Sequence, residues 1–173
     1  MTNIQNKDYK GFIILGVDPG FKGGLSFLNP SDMSVKSYPM PVIKGAKTRL
    51  DTAKIISLIE DHNPTYMVVE KNQARPGQGV SSSFTFGYWS GYWEGISAGY
   101  LMPITLVPPQ VWMKDVFTST ISGVKSSTDF CVRLWPKNDW KGTARSRIVH
   151  DGKTDSACLS LYLWRKLKRD ART

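Results

Sequence analysis

The stretch "IILGVDPGFKGG", residues 13–24, decides the fold that we predict for this chain. Aliphatic residues run up to a single carboxylate, Asp18, and a proline and three glycines follow closely. A short apolar run that stops at turn residues is typical of a buried strand. The pattern therefore predicts a strand over residues 12–17 that places Asp18 at the end of a sheet. Gly23 and Gly24 would leave no side chain there to obstruct a polymer backbone that approaches this end of the sheet.

The rest of the chain alternates between strand and helix patterns. We predict strands at 23–29, 34–40, 66–71 and 104–109, and helices at 51–63, from about Phe84 to Tyr100, from near Pro109, at about 125–135 and from about Lys153 to Lys168. This order predicts an α/β fold with a mixed sheet, three antiparallel strands continued by two parallel strands, and helices on both faces.

The length of 173 residues suits a single domain, residues 11–173, after a polar extension at residues 1–10. The extension lacks the apolar centre of a signal peptide, and no apolar run approaches the roughly 20 residues that cross a bilayer. Cys131 and Cys158 lie among apolar neighbours, which favours buried, reduced thiols over a disulfide. We therefore expect a cytoplasmic protein.

The charge balance points to a polyanionic partner. The chain has 23 Lys+Arg against 14 Asp+Glu, a net charge of +9. Such a surplus neutralises phosphates and releases their counterions, although a basic protein without such a partner remains the alternative. The basic residues gather towards the end, at 144–147 and 165–172, without the Lys/Trp pattern of a membrane-surface helix. Nucleic acid is the partner that this distribution indicates.

Two of the predicted strands end in an acid. Glu70 follows "MVV" much as Asp18 follows its own apolar run. If these strands are neighbours, about 4.8 Å apart, the two carboxylates repel each other unless a cation lies between them. Mg²⁺ or Mn²⁺, which prefer carboxylate oxygens, would suit that position. The alternative is that Asp18 closes a turn and Glu70 pairs with a lysine such as Lys71.

Two more acids lie near the start of the last helix. Asp151 and Asp155 are four residues apart and so share one helical face, beside the apolar run "ACLSLYLW" at 157–164. Asp151 has a helix N-cap as its alternative role, whereas an unpaired Asp155 next to a buried run would be costly. His150 is a candidate metal ligand, proton shuttle or plain loop residue. Four acids with a basic surface indicate phosphodiester hydrolysis with two Mg²⁺ or Mn²⁺ ions.

Three segments resemble the acidic motifs of the RuvC-type Holliday-junction resolvases, most closely the short bacteriophage-like members. They are "GVDPG" at 16–20, "VVEK" at 68–71 and "HDGKTDSACLSLYLW" at 150–164, and the likeness covers most of residues 12–167. The resemblance implies an RNase H-like fold, a homodimer in a bacterial or phage-infected cytoplasm, and paired nicks in four-way DNA with Mg²⁺ or Mn²⁺.

The resemblance also implies roles for single residues. Asp18 and Glu70 match the family's strand acids and Asp155 its final helix acid. Asp151 matches the fourth acid less closely, because several members separate the last two acids by three residues, which here is Gly152. Some members carry an aromatic wedge three residues after the Glu, where this chain has Gln73, so any stacking on junction bases must come from elsewhere.

Six basic residues are candidates for DNA contacts: Lys71, Arg75, Lys125, Arg145, Arg147 and Lys153. Lys153 lies two positions from each helix acid, so it points off their face. It either contacts the scissile phosphate or is solvated.

The long helix carries Gly87, Gly91, Gly95 and Gly99, a stripe with a spacing of four. Glycine costs about 1 kcal/mol per helical position relative to alanine, so the stripe needs a structural reason. We predict that it packs on the sheet, and that the flanking aromatics, Tyr88, Trp89, Tyr92 and Trp93, lie at least partly in a dimer contact.

The function that we predict is a structure-selective DNA endonuclease that resolves four-way or branched DNA junctions. The alternatives are a non-catalytic branched-DNA-binding protein and an RNA-processing nuclease of the same fold. A lobe of an actin-like ATPase, whose phosphate loop also has Asp-x-Gly after a strand, is more remote, because that fold needs two lobes and a second phosphate motif.

Overall fold

The structure, a computed structural model, describes residues 11–71, 79–118 and 123–172, except for the side chains of 80–83. The strands are β1 (Ile14–Asp18), β2 (Gly24–Asn29), β3 (Ser34–Pro39), β4 (Val42–Ile43), β5 (Arg49–Leu50), β6 (Tyr66–Glu70) and β7 (Ile104–Val107). The helices are α1 (Thr52–His62), α2 (Val80–Gly99), α3 (Pro109–Thr118), α4 (Ser127–Leu134) and α5 (Asp151–Asp170). Within those ranges, none of the helices has the length and apolar character of a membrane span.

Five of the strands form one sheet in the order β3-β2-β1-β6-β7. β1 pairs antiparallel with β2 and β2 with β3, whereas β6 and β7 run parallel to β1. The predicted mixed sheet is confirmed. The hairpin of β4 and β5 was not predicted, because strands of two residues are too short to show an alternating pattern.

Each face of the sheet has its own core, because successive side chains of a strand point to opposite faces. Ile14 and Val68 lie in the core under α3, α4 and α5. Leu15 and Val17 lie in the core under α1 and α2. Helices therefore cover both faces, as predicted.

Helix α5 lies very close to the sheet, and glycines permit that approach. A Cβ atom on Gly16 of β1 would lie 2.0 Å from the carbonyl oxygen of Ser156, and one on Gly24 would lie 2.4 Å from that of Gly152. Gly23 and Gly24 were predicted to clear space for DNA. The structure corrects this interpretation, because side chains there would collide with the chain's own backbone.

Helix α5 begins two residues before the predicted start, since His150 is extended and precedes the first helical residue, Asp151. Its apolar run is buried as expected. Cys131 and Cys158 are free and buried, which confirms the prediction of reduced thiols.

The glycine stripe of α2 faces away from the sheet. Gly87, Gly91, Gly95 and Gly99 are exposed, and a Cβ atom on each would meet no described atom within 4 Å. Trp93 is fully buried and Trp89 nearly so. The prediction that the stripe packs on the sheet is therefore wrong: burying indoles removes far more apolar area from water than burying glycines, so the indoles face the core.

Candidate active site

The sheet brings the two strand acids side by side. Val17 of β1 is in register with Val69 of β6, and the next residue on each strand is Asp18 or Glu70. Both acids are partly buried at the same end of the sheet. The prediction that neighbouring strands carry the two carboxylates to one edge is confirmed.

The start of α5 is held against the turn between β1 and β2. A Cβ atom on Gly152 would lie 2.3 Å from the carbonyl carbon of Gly23, so an acid cannot replace Gly152 without moving the helix. This contact excludes an acid at position 152, three residues before Asp155. Asp155 lies one turn further along and is partly buried, whereas Asp151 is exposed at the first helical position.

The four acids form one electrostatic unit. Burial, reinforced by the charges of Glu70, Asp155 and Asp151, raises the pKa of Asp18 to about 8. Burial also raises the pKa of Glu70, which the charge of Asp155 raises further. The pKa of Asp155 is raised first by burial and then by the charge of Asp151. All four predicted acids therefore interact at one end of the sheet.

Neutral side chains hold three of these acids, and none of those neighbours was predicted. The indole Nε1 of Trp112, on α3, donates to Oε2 of Glu70 at 2.9 Å, and this bond opposes the rise in the Glu70 pKa. A hydrogen bond with Ser127 does the same for Asp155. The hydroxyl of Thr128 donates to Oδ1 of Asp151 at 3.4 Å. The sequence marks "QVWMKDVF" as helical but does not show which strand end the indole reaches.

Chemistry and charge at this edge suit a hard divalent cation. All four candidate ligands are carboxylates, which supply the oxygen donors that Mg²⁺ and Mn²⁺ prefer, and a cation would relieve their mutual repulsion. Among the described residues, no three His, Cys, Asp or Glu side chains converge closely enough to form a metal site in this arrangement. The fit therefore rests on donor type and charge.

An open cleft of about 700 Å³ is lined by two of the four acids, Asp18 and Asp151, and we call it the acidic cleft. Its lining includes Asp18, Phe21, Lys22, His150 and Asp151. His150 occupies the N-cap position of α5 without a side-chain cap bond, so Asp151 is not the N-cap. Burial, with the nearby Lys153 charge, lowers the pKa of His150. Its buried Nδ1 has no hydrogen-bond partner within the described part of the chain.

The predicted DNA-contact residues fall into three groups. Lys71, Lys125, Arg145 and Arg147 are exposed. Arg75 lies outside the described residues. Lys153 is only 5% exposed, and its Nζ donates to the backbone carbonyl oxygens of Asp139 and, at 3.0 Å, Lys141. The structure corrects the expectation of a surface cation at Lys153, which instead ties the preceding loop to α5.

Comparison with known proteins finds matches to the fold but none to the sequence. No family model and no curated protein matches the sequence. RuvC of T. thermophilus in complex with a Holliday junction substrate matches the structure with a TM-score of 0.59 at 10% identity, over 91% of this chain and 96% of that one. The chain has the same fold as RuvC.

Two further solved structures share the RuvC-type fold. A second Thermus thermophilus RuvC structure matches with a TM-score of 0.54 at 14% identity, over 92% of this chain and 97% of that one. The yeast mitochondrial Holliday junction resolvase Ydc2 matches with a TM-score of 0.50 at 18% identity, over 92% of this chain and 81% of that one.

Proposed function

We propose that this chain is a structure-selective DNA endonuclease that resolves four-way or other branched junctions by metal-dependent hydrolysis. The observation that carries the proposal is that four acids from three separate elements, β1, β6 and α5, lie at one end of the sheet, close enough for the charges of three to raise the pKa of Asp18. One structural neighbour is in complex with a Holliday junction substrate and another is described as a Holliday junction resolvase, which supports the choice of branched DNA. The net charge of +9 supports a polyanionic substrate.

Asp18, Glu70, Asp151 and Asp155 would hold one or two Mg²⁺ or Mn²⁺ ions. When bound, such ions activate a water molecule and stabilise the leaving oxygen of the phosphodiester. The sheet fixes the first two carboxylates, and the glycine contact of α5 fixes the other two. Because the pKa of Asp18 is about 8 without metal, its carboxyl group is largely protonated at neutral pH and must release that proton as a cation binds.

Residues next to the acids would position the Glu70 carboxylate and the DNA. The Trp112 indole orients the Glu70 carboxylate and favours its charged form through a donated hydrogen bond. Lys22 lines the acidic cleft and, with exposed Lys71, Lys125, Arg145 and Arg147, would neutralise phosphates along the DNA arms. These contacts set affinity and register but carry no sequence preference.

A homodimer through α2 completes the proposal, because two symmetric cuts need two sites. The exposed glycine stripe allows the backbone of a second helix to come close across a two-fold axis. Gly91→Leu would place a large side chain on the stripe, so we expect a monomer in sedimentation. Ala53→Leu, an equally exposed small position on α1, should leave the dimer unchanged. A dimer retained by Gly91→Leu would place the interface elsewhere.

The function is tested by incubating the protein with end-labelled four-way, three-way and linear DNA, and with an RNA duplex, in Mg²⁺, Mn²⁺ or EDTA. We expect symmetric nicks confined to branched DNA and abolished by EDTA. Asp155→Asn should stop cutting but keep DNA binding, whereas Asp61→Asn, an exposed acid on α1, should cut normally.

Other outcomes would contradict the proposal. Equal cutting of linear DNA would remove the preference for branches, and preferential cutting of RNA would indicate an RNA-processing nuclease. Junction binding without cutting under every metal condition would indicate a non-catalytic branched-DNA-binding protein. Normal cutting by Asp151→Asn would remove Asp151 from the site.

A further inference from the structure

A loop in the connection between α4 and α5 forms one wall of the acidic cleft. An isolated β-bridge joins Lys141 to Val149 across this loop, and the backbone N–H of His150 donates to the carbonyl oxygen of Trp140 at 2.8 Å. Val149 and His150 line the acidic cleft. We call residues 139–150 the wall loop.

The wall loop is basic on its exposed side. Lys141, Arg145 and Arg147 are exposed, and none of the described carboxylates forms an ion pair with them. The only acid of the loop, Asp139, accepts a hydrogen bond at Oδ1 from the backbone N–H of Lys141 at 3.0 Å. Unpaired cations next to a cleft that holds carboxylates suit a polyanion, because they neutralise its phosphates.

Lys153 holds the wall loop from inside the protein. Its side chain is only 5% exposed, and its Nζ donates to the backbone carbonyl oxygens of Asp139 and, at 3.0 Å, Lys141. Within the described part of the chain, no carboxylate forms an ion pair with this ammonium. The backbone of the wall loop therefore takes the place of a counterion, and the position of the loop depends on Lys153.

Stability alone does not account for a lysine at position 153. Burying an ammonium costs its hydration, and replacing buried charged groups by apolar residues of similar volume is often neutral or stabilising. Methionine is also unbranched and would fill the same space without a charge. It cannot donate hydrogen bonds to the two carbonyl groups, so the specific gain from lysine is the fixed position of the wall loop.

We propose that Lys153 is a positioning residue for DNA, whose buried ammonium fixes the wall loop so that Arg145 and Arg147 contact the strand that enters the acidic cleft. The inference rests on the proposed function and deepens it, because it assigns part of the DNA affinity to a side chain that itself touches no DNA. The competing role is a purely structural one. The two roles differ because only the first acts through the two arginines.

Amide hydrogen exchange of Lys153→Met tests whether the ammonium holds the loop. Exchange in residues 140–150 should become about tenfold faster, and exchange in the buried run 157–164 of α5 should change less than about twofold. The melting temperature should stay within about 5 °C of wild type. Lys153→Arg keeps donors for both carbonyl groups and should restore the protection. Lys36→Met, at an exposed position of β3, should exchange as wild type does.

A second measurement tests whether the loop acts on DNA. Binding of a labelled four-way junction is measured in EDTA, so that no cutting occurs. Lys153→Met, and the double variant Arg145→Ala with Arg147→Ala, should each weaken binding about 5- to 50-fold. The variant with all three substitutions should bind no more weakly than the double variant, because Lys153 acts through these arginines. Lys36→Met should bind within about twofold of wild type.

Four results would overturn the inference. Unchanged exchange in Lys153→Met would show that the wall loop does not depend on the ammonium. Faster exchange with unchanged junction binding would show that the loop position does not matter for DNA. Multiplied losses in the triple variant would show that Lys153 acts independently of the arginines. Lost protection throughout α5, with a large fall in melting temperature, would make Lys153 a structural residue of the core.

The two measurements also keep this inference apart from the proposed function, because neither of them needs cutting. A wild type that binds junctions but fails to cut them would contradict only the proposed function. A wild type that binds no DNA would contradict both.

Discussion

Glycines occur on both faces of the sheet, but those on one face are closely packed and those on the other are exposed. On the α5 side, Gly16, Gly24 and Gly152 lie where any side chain would collide with backbone of the same chain. On the α2 side, Gly87, Gly91, Gly95 and Gly99 meet no described atom within 4 Å. The first set is required by the fold of one chain, whereas the second costs helix stability with no return inside the described chain.

The difference separates the site from its assembly. Close packing at Gly24 and Gly152 brings the acids of α5 towards Asp18 and Glu70, so the proposed activity would depend on it. The α2 stripe leaves that site untouched and is available to a second backbone. A glycine in a helix can therefore mark either close packing against the same chain or an open surface, and only its neighbours in the structure show which.

The largest expected effect is that of Gly152→Ala. Its Cβ would lie 2.3 Å from the backbone of Gly23, which must move or push α5 away. We expect a loss of about 3 kcal/mol in the free energy of unfolding, measured by urea denaturation, together with loss of cutting. Normal stability in this variant would show that α5 has room to move. The contrast between closely packed glycines on the α5 side and exposed glycines on α2 would then be wrong.

Asp18→Asn tests the electrostatics of the closely packed side. The pKa of Asp18 is raised from its ordinary value of 3.8 to about 8, so the folded state holds a proton that the unfolded state loses. The stability from this proton is fully present below about pH 3.8 and is lost as pH rises through about 8. At pH 8, metal-free Asp18→Asn should therefore be more stable than wild type by on the order of 2 kcal/mol.

Thermal melts of the metal-free proteins from pH 5 to 9 measure this effect. The wild type should lose stability with rising pH more steeply than Asp18→Asn does. Asp61→Asn serves as the control, since Asp61 is exposed on α1. Parallel pH profiles for all three proteins would show that burial and the neighbouring acids do not raise the Asp18 pKa as described.

Trp112→Phe removes the hydrogen bond to Glu70 but keeps a buried aromatic ring. We expect a loss of about 1 kcal/mol in stability and a higher Glu70 pKa, which should move the acidic limb of the cutting rate to higher pH. Trp135→Phe loses a comparable bond, to the carbonyl oxygen of Met33, and should leave the pH profile unchanged. Equal profiles for both variants would remove Trp112 from the site.

The smallest effect is expected for a substitution in the exposed glycine stripe of α2. Gly91→Ala adds a Cβ atom where no described atom lies within 4 Å. Chemical denaturation at dilutions that favour the monomer should show a gain of about 0.5–1 kcal/mol, because alanine is the better helix former. A loss of stability there would mean that the stripe already packs against its own chain.

The sequence predicted the sheet and its acids because both follow from local patterns. Apolar runs that end at Asp18 and Glu70 indicate both the strands and the edge where these acids lie, and the spacing of Asp151 and Asp155 indicates one helical face. The predicted orientation of α2 was wrong, since glycines and indoles lie on opposite faces of that helix and the pattern alone does not show which face packs on the sheet. Only the tertiary structure shows that the face with the indoles packs on the sheet.

The remaining features needed the tertiary structure. Lys153 carries a charge and so resembles a surface residue in sequence, yet two carbonyl groups far from it in the chain hold its ammonium in a buried position. A groove of about 420 Å³ beside the acidic cleft is lined by Phe21, Arg49 and Phe84 from three distant segments, and no spacing in the sequence links them.

The central claim is that the four carboxylates act as one divalent-cation site assembled by the close packing of α5. The most direct measurement is the shift in melting temperature that Mn²⁺ causes in wild type, Asp18→Asn, Asp155→Asn and the control Asp61→Asn. We predict a rise with Mn²⁺ for wild type and Asp61→Asn, and a much smaller rise for Asp18→Asn and Asp155→Asn, because a cation that binds the folded state stabilises it. No shift in wild type, or equal shifts in all four proteins, would contradict the claim.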